Sequence, residues 1–214
     1  GVDCAARAAV KLNFGTIQIF TKNSNQWQGK PIDATCAAAF RAIIREHGFK
    51  APISHASDLI NLAAPKEDLY LKSIDALIDE WQRAEQLELS GVVLHPGSAT
   101  DGNREAGLER VAAAIDRVVQ AVQPKTARLL LENTAGQGNC LGWCVSELHE
   151  IIIRLQDAEY VGVCIDSCHA HAAGYDLSDE AGLNRLVGEL DQYQLLSRVA
   201  AIHLNESLKA AGSR

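Results

Sequence analysis

Residues 91–122 read GVVLHPGSATDGNREAGLERVAAAIDRVVQAV, and the change of period along this stretch decides the fold. Its first four residues, Gly91–Leu94, form an apolar run without alternation, the pattern of a strand buried on both faces. His95 ends the run, and Pro96-Gly97-Ser98 turns the chain. Beyond the turn, Leu108, Val111, Ile115, Val118, Val119 and Val122 recur at helical spacing, so one apolar helix face follows. The stretch is therefore a buried strand, a turn at its carboxyl end, and a helix that can pack back onto the sheet.

The same unit recurs on both sides. Short apolar runs occupy Thr16–Phe20, Pro52–Ser54, Ala127–Leu131, Val161–Ile165 and Val199–Ile202. Helical spacing links Phe40, Ile43, Ile44 and His47, then Tyr70, Ile74, Leu77, Ile78 and Trp81. It also links Val145, Leu148, Ile152 and Leu155, and finally Leu183, Leu186, Val187 and Leu190. These faces are read as core. Alternating β and α segments imply a parallel sheet with right-handed crossovers, either an open doubly wound sheet or a (β/α)8 barrel. No G-x-G-x-x-G follows the first strand, so a dinucleotide site has no support. Six strands are visible, where a closed barrel needs eight.

Composition excludes much else. The 214 residues are 47% hydrophobic and 22% charged, the balance of one ordinary globular domain spanning 1–214 rather than of collagen, a coiled coil or a disordered chain. No apolar run approaches the ~20 residues of a membrane span. A net charge of −7 argues against non-specific adhesion to nucleic acid, although bound cations would supply local positive charge to a nuclease. Six cysteines in a chain without a signal peptide read as reduced thiols, which predicts a cytoplasmic protein. Methionine is absent and the chain opens at Gly1, so the natural protein is expected to start earlier.

The ends of the strands carry the chemistry. Successive runs close on His55, His95, Glu132, Asp166 and His203, at intervals of 40, 37, 34 and 37 residues, each about one βα unit. In a barrel these positions share one mouth, where such folds keep their active sites. A lone strand-end histidine is commonly just a hydrogen-bonded structural residue, but five ligand-type residues in register form the donor set of a hydrolytic zinc centre. Glu132 and Asp166 close almost purely apolar runs, where an uncompensated carboxylate is costly and a metal would offset it.

The segments HPGS at 95–98, ENTAGQG at 132–138, VGVCIDSCHAHAAGYD at 161–176 and IHLNES at 202–207 resemble the endonuclease IV family of zinc-dependent apurinic/apyrimidinic endonucleases, and FTKN at 20–23 and SHASDLINL at 54–62 agree. The resemblance covers the whole chain. It implies a (β/α)8 TIM-type barrel, α/β in class, holding up to three zinc ions and hydrolysing the phosphodiester 5′ to an abasic site in double-stranded DNA to leave a 3′-hydroxyl. Carried over by position, it gives His55 and His95 to one zinc, with Glu132 bridging to a second held also by Asp166 and His203, and His169 to a third. Glu132 and Asp166 are then the expected catalytic carboxylates, and Lys22, Asn23 and Leu59 the expected DNA contacts.

The resemblance also implies a strand ahead of Gly1 and three further ligands beyond Arg214, so the chain is expected to be a piece of a longer barrel. A full-length member is expected to be a monomer, and this piece could self-associate through its open sheet edges. Two DNA-facing positions depart from the family pattern, Asn25 where many members carry arginine and Asp58 where they carry tyrosine. Weaker DNA binding or a shifted substrate follows. Two other readings remain, a metal-dependent sugar isomerase or epimerase on the same barrel, and a catalytically inert barrel fragment. His171 is expected to pack or to hydrogen-bond behind a ligand, His47 and His149 to lie at the surface or core edge, and Cys164 to act as a small buried hydrophobe beneath Asp166.

Overall fold

Each apolar run becomes a strand of one parallel sheet. The computed structural model describes residues 1–213. Helix α1 (Val2–Lys11) precedes β1 (Gln18–Ile19), and α2 (Ala34–Glu46), β2 (Ile53–His55), α3 (Glu67–Leu87), β3 (Gly91–Leu94), α4 (Arg104–Val122) and β4 (Arg128–Glu132) follow. The chain continues through α5 (Val145–Ile152), β5 (Val161–Asp166), α6 (Ser167–Ala173), α7 (Glu180–Gln192) and β6 (Val199–His203). The strands pair in sequence order, all parallel, as in a TIM-type barrel.

Local chemistry starts the helices where the sequence demands it. Asp33 caps α2 by accepting from the Thr35 and Cys36 amides, and Asn103 caps α4 through the Ala106 amide. Two helices escape a reading based on apolar spacing. Helix α1 buries Ala6 and Ala9, with Val2 and Val10 also packed against the core, and α6 buries Ala170 and Ala173. Among the core faces, Leu186 and Leu190 of α7 are buried as expected, but Leu183 and Val187 are 50% and 40% exposed, because no described element covers that flank. The main core lies between sheet and helices around Phe40, Leu77, Trp81, Ile115, Leu129 and Leu131, and the Trp81 indole N–H donates to the Ala127 carbonyl at 3.1 Å.

The other face of the sheet positions the site. Val93, Leu130 and Cys164 pack there with Ile53 and Ala201. Adding two residues, one step of strand alternation, to each of these five positions gives His95, Glu132, Asp166, His55 and His203. The interior is thus an apolar layer with a layer of ligand-type side chains above it. A bulge completes the second layer. Val163 pairs with Val199 but Cys164 with Ala201, leaving Ala200 as an extra residue. Without it Asp166 would face Ile202; with it, Asp166 pairs with His203.

Candidate metal centre

The Glu132 carboxylate, 1% exposed, is the hub. Its Oε2 lies 3.1 Å from His55 Nε2 and 3.0 Å from His95 Nε2, and its Oε1 lies 2.8 Å from His203 Nδ1 and 3.6 Å from His169 Nδ1. Each carboxylate oxygen therefore faces two imidazoles. Asp166 stands alongside, with Oδ2 3.8 Å from His203 Nδ1 and Oδ1 3.8 Å from His169 Nδ1. Burial by itself would push the Glu132 carboxyl up, but the imidazoles of His203, His55 and His95 outweigh it and hold the group far below the ordinary carboxylate range. Burial lowers the His55 imidazole, yet its bonds to Glu132 and the Ala56 carbonyl leave it raised above its ordinary value.

Among the described residues, three sets of ligand atoms lie within 4.8 Å of one another: His55, His95 and Glu132; Glu132, Asp166 and His169; and Glu132, Cys164 and His203. His95 Nε2 is buried and points at Glu132 without the alignment of a hydrogen bond, an unsatisfied nitrogen of the kind a cation would complete. Imidazole and carboxylate donors closing on one point suit a divalent metal of borderline softness. Burial followed by the charges of Glu132 and Asp166 pushes the Cys164 thiol well up, so without a metal it stays protonated and behaves as the small hydrophobe the sequence suggests. His169, given by the resemblance to a separate third zinc, here lies against the same Glu132 carboxylate as the others.

Side chains that the sequence reading leaves without a role hold these groups in place. Asn133 accepts from the Asp166 amide at 2.7 Å, donates to the Asp166 carbonyl at 3.1 Å, and its own carbonyl receives His169 Nδ1–H at 2.9 Å. Asn205 donates to Asp166 Oδ2 at 2.6 Å. Asn61 joins the loops after β2 and β3, accepting from the Ser98 and Ala63 amides and donating to the Ser98 carbonyl. Gly97 is required there: its φ is +115°, and a Cβ would sit 2.3 Å from Asn61 Oδ1. The available signal is position, since Asn133 and Asn205 follow Glu132 and His203 by one and two residues.

The expected DNA contacts divide. Lys22 is a correction: its side chain is only 2% exposed, and its ammonium donates to Asp79 Oδ2 at 2.7 Å and to the Trp27 carbonyl at 3.1 Å. Glu80 Oε1 stands 3.5 Å away, so this lysine anchors the loop after β1 to α3 instead of meeting phosphate. Asn23 is exposed in that loop, with its side-chain oxygen accepting from the Asn25 amide, and Leu59 is half-buried in the loop after β2. Asp58, 64% exposed, lies 3.9 Å from His95 Nδ1. A cavity of about 320 Å³ beside the centre is lined by Asp58, Asn61, His95, Gln137 and His169 among others. His171 stays outside the cluster, its Nδ1 accepting from the Leu177 amide, and His149 hydrogen-bonds to the Tyr193 carbonyl. All six cysteines are free, and no helix among the described residues is long and apolar enough to cross a membrane.

Known proteins resemble this chain in sequence and fold. Residues 6–214 match a family described as xylose isomerase-like TIM barrel. The chain is 43% identical over 214 residues to a probable endonuclease 4 of Chloroflexus aggregans, covering all of this chain and 75% of the relative, and 40% identical to one of Trichlorobacter lovleyi, covering 76% of it. Among solved structures, endonuclease IV from Thermus thermophilus superposes with a TM-score of 0.88 at 34% identity over all of this chain and 74% of that one. A D-tagatose 3-epimerase-like protein reaches a TM-score of 0.74 at only 19% identity, a likeness of fold alone, over 94% of this chain and 71% of that one.

Proposed function

Since the chain belongs to the endonuclease IV family of xylose isomerase-like TIM barrels, we propose that it cuts double-stranded DNA at abasic sites, hydrolysing the phosphodiester on the 5′ side and leaving a 3′-hydroxyl. The observation that carries this reading is the Glu132 carboxylate, with a pair of imidazoles on each oxygen at the shared mouth of the strands. We expect a cytoplasmic repair enzyme whose partner is damaged duplex DNA.

The ions are zinc in this reading. His55, His95 and Glu132 hold one, Glu132, Asp166 and His203 a second, and His169 belongs to a third. When bound, zinc polarises a phosphate oxygen and makes water a nucleophile near neutral pH. The chain's own residues prepare for this. Glu132 is ionised at neutral pH, so it receives cations without first losing a proton. Asn133 holds the Asp166 backbone through its amide and carbonyl, and Asn205 donates to the Asp166 carboxylate. Asn23 and Leu59 are the remaining DNA contacts, and Asp58 brings a like charge toward the phosphates, which weakens binding.

The test is a labelled duplex with one tetrahydrofuran abasic analogue, which resists β-elimination and so reports hydrolysis alone. Incision on its 5′ side, lost on chelation and restored by zinc, is the expected result. An uncut duplex with zinc-loaded protein would overturn the reading and favour an inert barrel.

A further inference from the structure

Gln18 is a polar neighbour of the apolar layer beneath the ligands. Gln18 of β1 pairs with Ile53 and so shares the face occupied by Ile53, Val93, Leu130, Cys164 and Ala201. Its amide oxygen accepts from His203 Nε2–H at 2.7 Å, while the other nitrogen of that ring, Nδ1, lies 2.8 Å from Glu132 Oε1. The bond joins residues 185 apart in sequence and links the two outer strands of the sheet.

We propose that Gln18 is a positioning residue of the metal centre: by accepting the Nε2 proton of His203, it turns Nδ1 of that ring toward Glu132 and the metal. The inference rests on the metal-centre reading above. A ligand histidine needs its outer nitrogen fixed, because that bond sets both the tautomer and the ring plane. Two of the other rings have main-chain partners for this purpose. His55 Nδ1–H donates to the Ala56 carbonyl at 2.7 Å and His169 Nδ1–H to the Asn133 carbonyl at 2.9 Å. His203 instead stands on an outer strand with a single described neighbour, and a side chain from the opposite outer strand supplies its acceptor. Gln18 is exposed, so replacing it removes little packing.

The experiment titrates metal-free protein with Co²⁺, whose visible absorption reports ligand number and geometry, and with Zn²⁺ against a chromophoric chelator. The variant His203→Asn identifies the binding step that uses His203. Gln18→Met keeps the length of the side chain and removes the acceptor; it should weaken that step by about 10–100-fold and alter its Co²⁺ spectrum. The step that uses His55 and His95 should be unchanged, and so should the melting temperature of the metal-free protein. Gln18→Glu, which retains an acceptor, should restore affinity and spectrum. Wild-type affinity and spectrum in Gln18→Met, or failure of Gln18→Glu to restore them, would overturn the role of Gln18 while leaving the metal centre standing. A wild-type chain that binds neither ion would overturn the metal-centre reading and this inference with it.

Discussion

The inner strands β3–β5 and the outer strand β6 are built from the same kind of sequence, yet they bury differently. Every residue of β3 and β5 is buried, and in β4 only Arg128 is not. In β6 half-buried and exposed residues alternate, and Ile202 is 64% exposed. Val-Ala-Ala-Ile is as apolar as Gly-Val-Val-Leu, so composition does not account for the contrast. Neighbours do: β4 lies between two strands, whereas β6 has one described strand beside it. The burial of a βα unit is thus a property of the units flanking it. The candidate centre straddles this divide, with Glu132 and Asp166 on fully flanked strands and His203 on the edge, held through side chains from Glu132 and Gln18.

The largest effect should come from the flanked side. Glu132→Gln keeps the shape of the hub but removes the charge that draws cations and imidazoles together. Cutting of the abasic duplex should fall by about a thousandfold or more, the scale of several kcal/mol of lost transition-state stabilisation. Ile202→Ala, one residue from His203 but outside the ligand layer, should leave cutting unchanged. Equal losses in the two variants would erase the distinction between flanked strands and edge.

Stability should divide the same way. Leu129 in β4 is fully buried, and Leu129→Ala should cost about 2–5 kcal/mol through lost transfer energy and the cavity left behind. Ile202→Ala, at 64% exposure, should cost less than about 0.5 kcal/mol. Urea unfolding of the two variants measures both. A large loss at Ile202 would mean that another surface covers β6 in solution.

This contrast also marks how far the sequence can be read. The strand runs and the ligand residues that close them are written locally, in apolar runs ended by one polar residue, and all six strands fall on those runs. Helical spacing shows that one face of α7 is apolar, but not whether anything lies over it, and so Leu183 and Val187 come out exposed. Helices α1 and α6 bury only alanines, small residues that do not stand out as a core face. The bulge at Ala200 arises from pairing with β5 and leaves no mark in β6 itself. Lys22 reads as available to phosphate because its partners, Asp79 and Glu80, come from α3, 57 and 58 residues further along the chain. Gln18 is invisible for the same reason, its partner being 185 residues away. Asn61 and Asn133 sit inside segments that carry the family resemblance, but that resemblance assigns ligands and not the groups that orient them.

The smallest effect is a pH dependence of the metal-free protein, and its alkaline limb should belong to the flanked side. Bonds to Glu132 and the Ala56 carbonyl raise His55 above its ordinary 6.5 despite burial, so its contribution to stability is complete below pH 6.5 and is lost as pH rises through the folded value. Glu132 runs the other way. Burial opposes its ionisation, but His203, His55 and His95 depress it, so its contribution is present above its ordinary 4.5 and is lost as pH falls below that. Melting temperature in a chelator should therefore peak between 4.5 and 6.5 and decline by a few degrees on the alkaline side. His55→Asn should remove the alkaline decline, because the titrating ring is gone. Ile202→Ala should keep both limbs, since it leaves Glu132 and the imidazoles around it in place. A wild-type profile that stays flat on the alkaline side would mean that the His55–Glu132 bond does not persist in solution without metal, and that the two sides of the sheet are equally loose until a cation joins them.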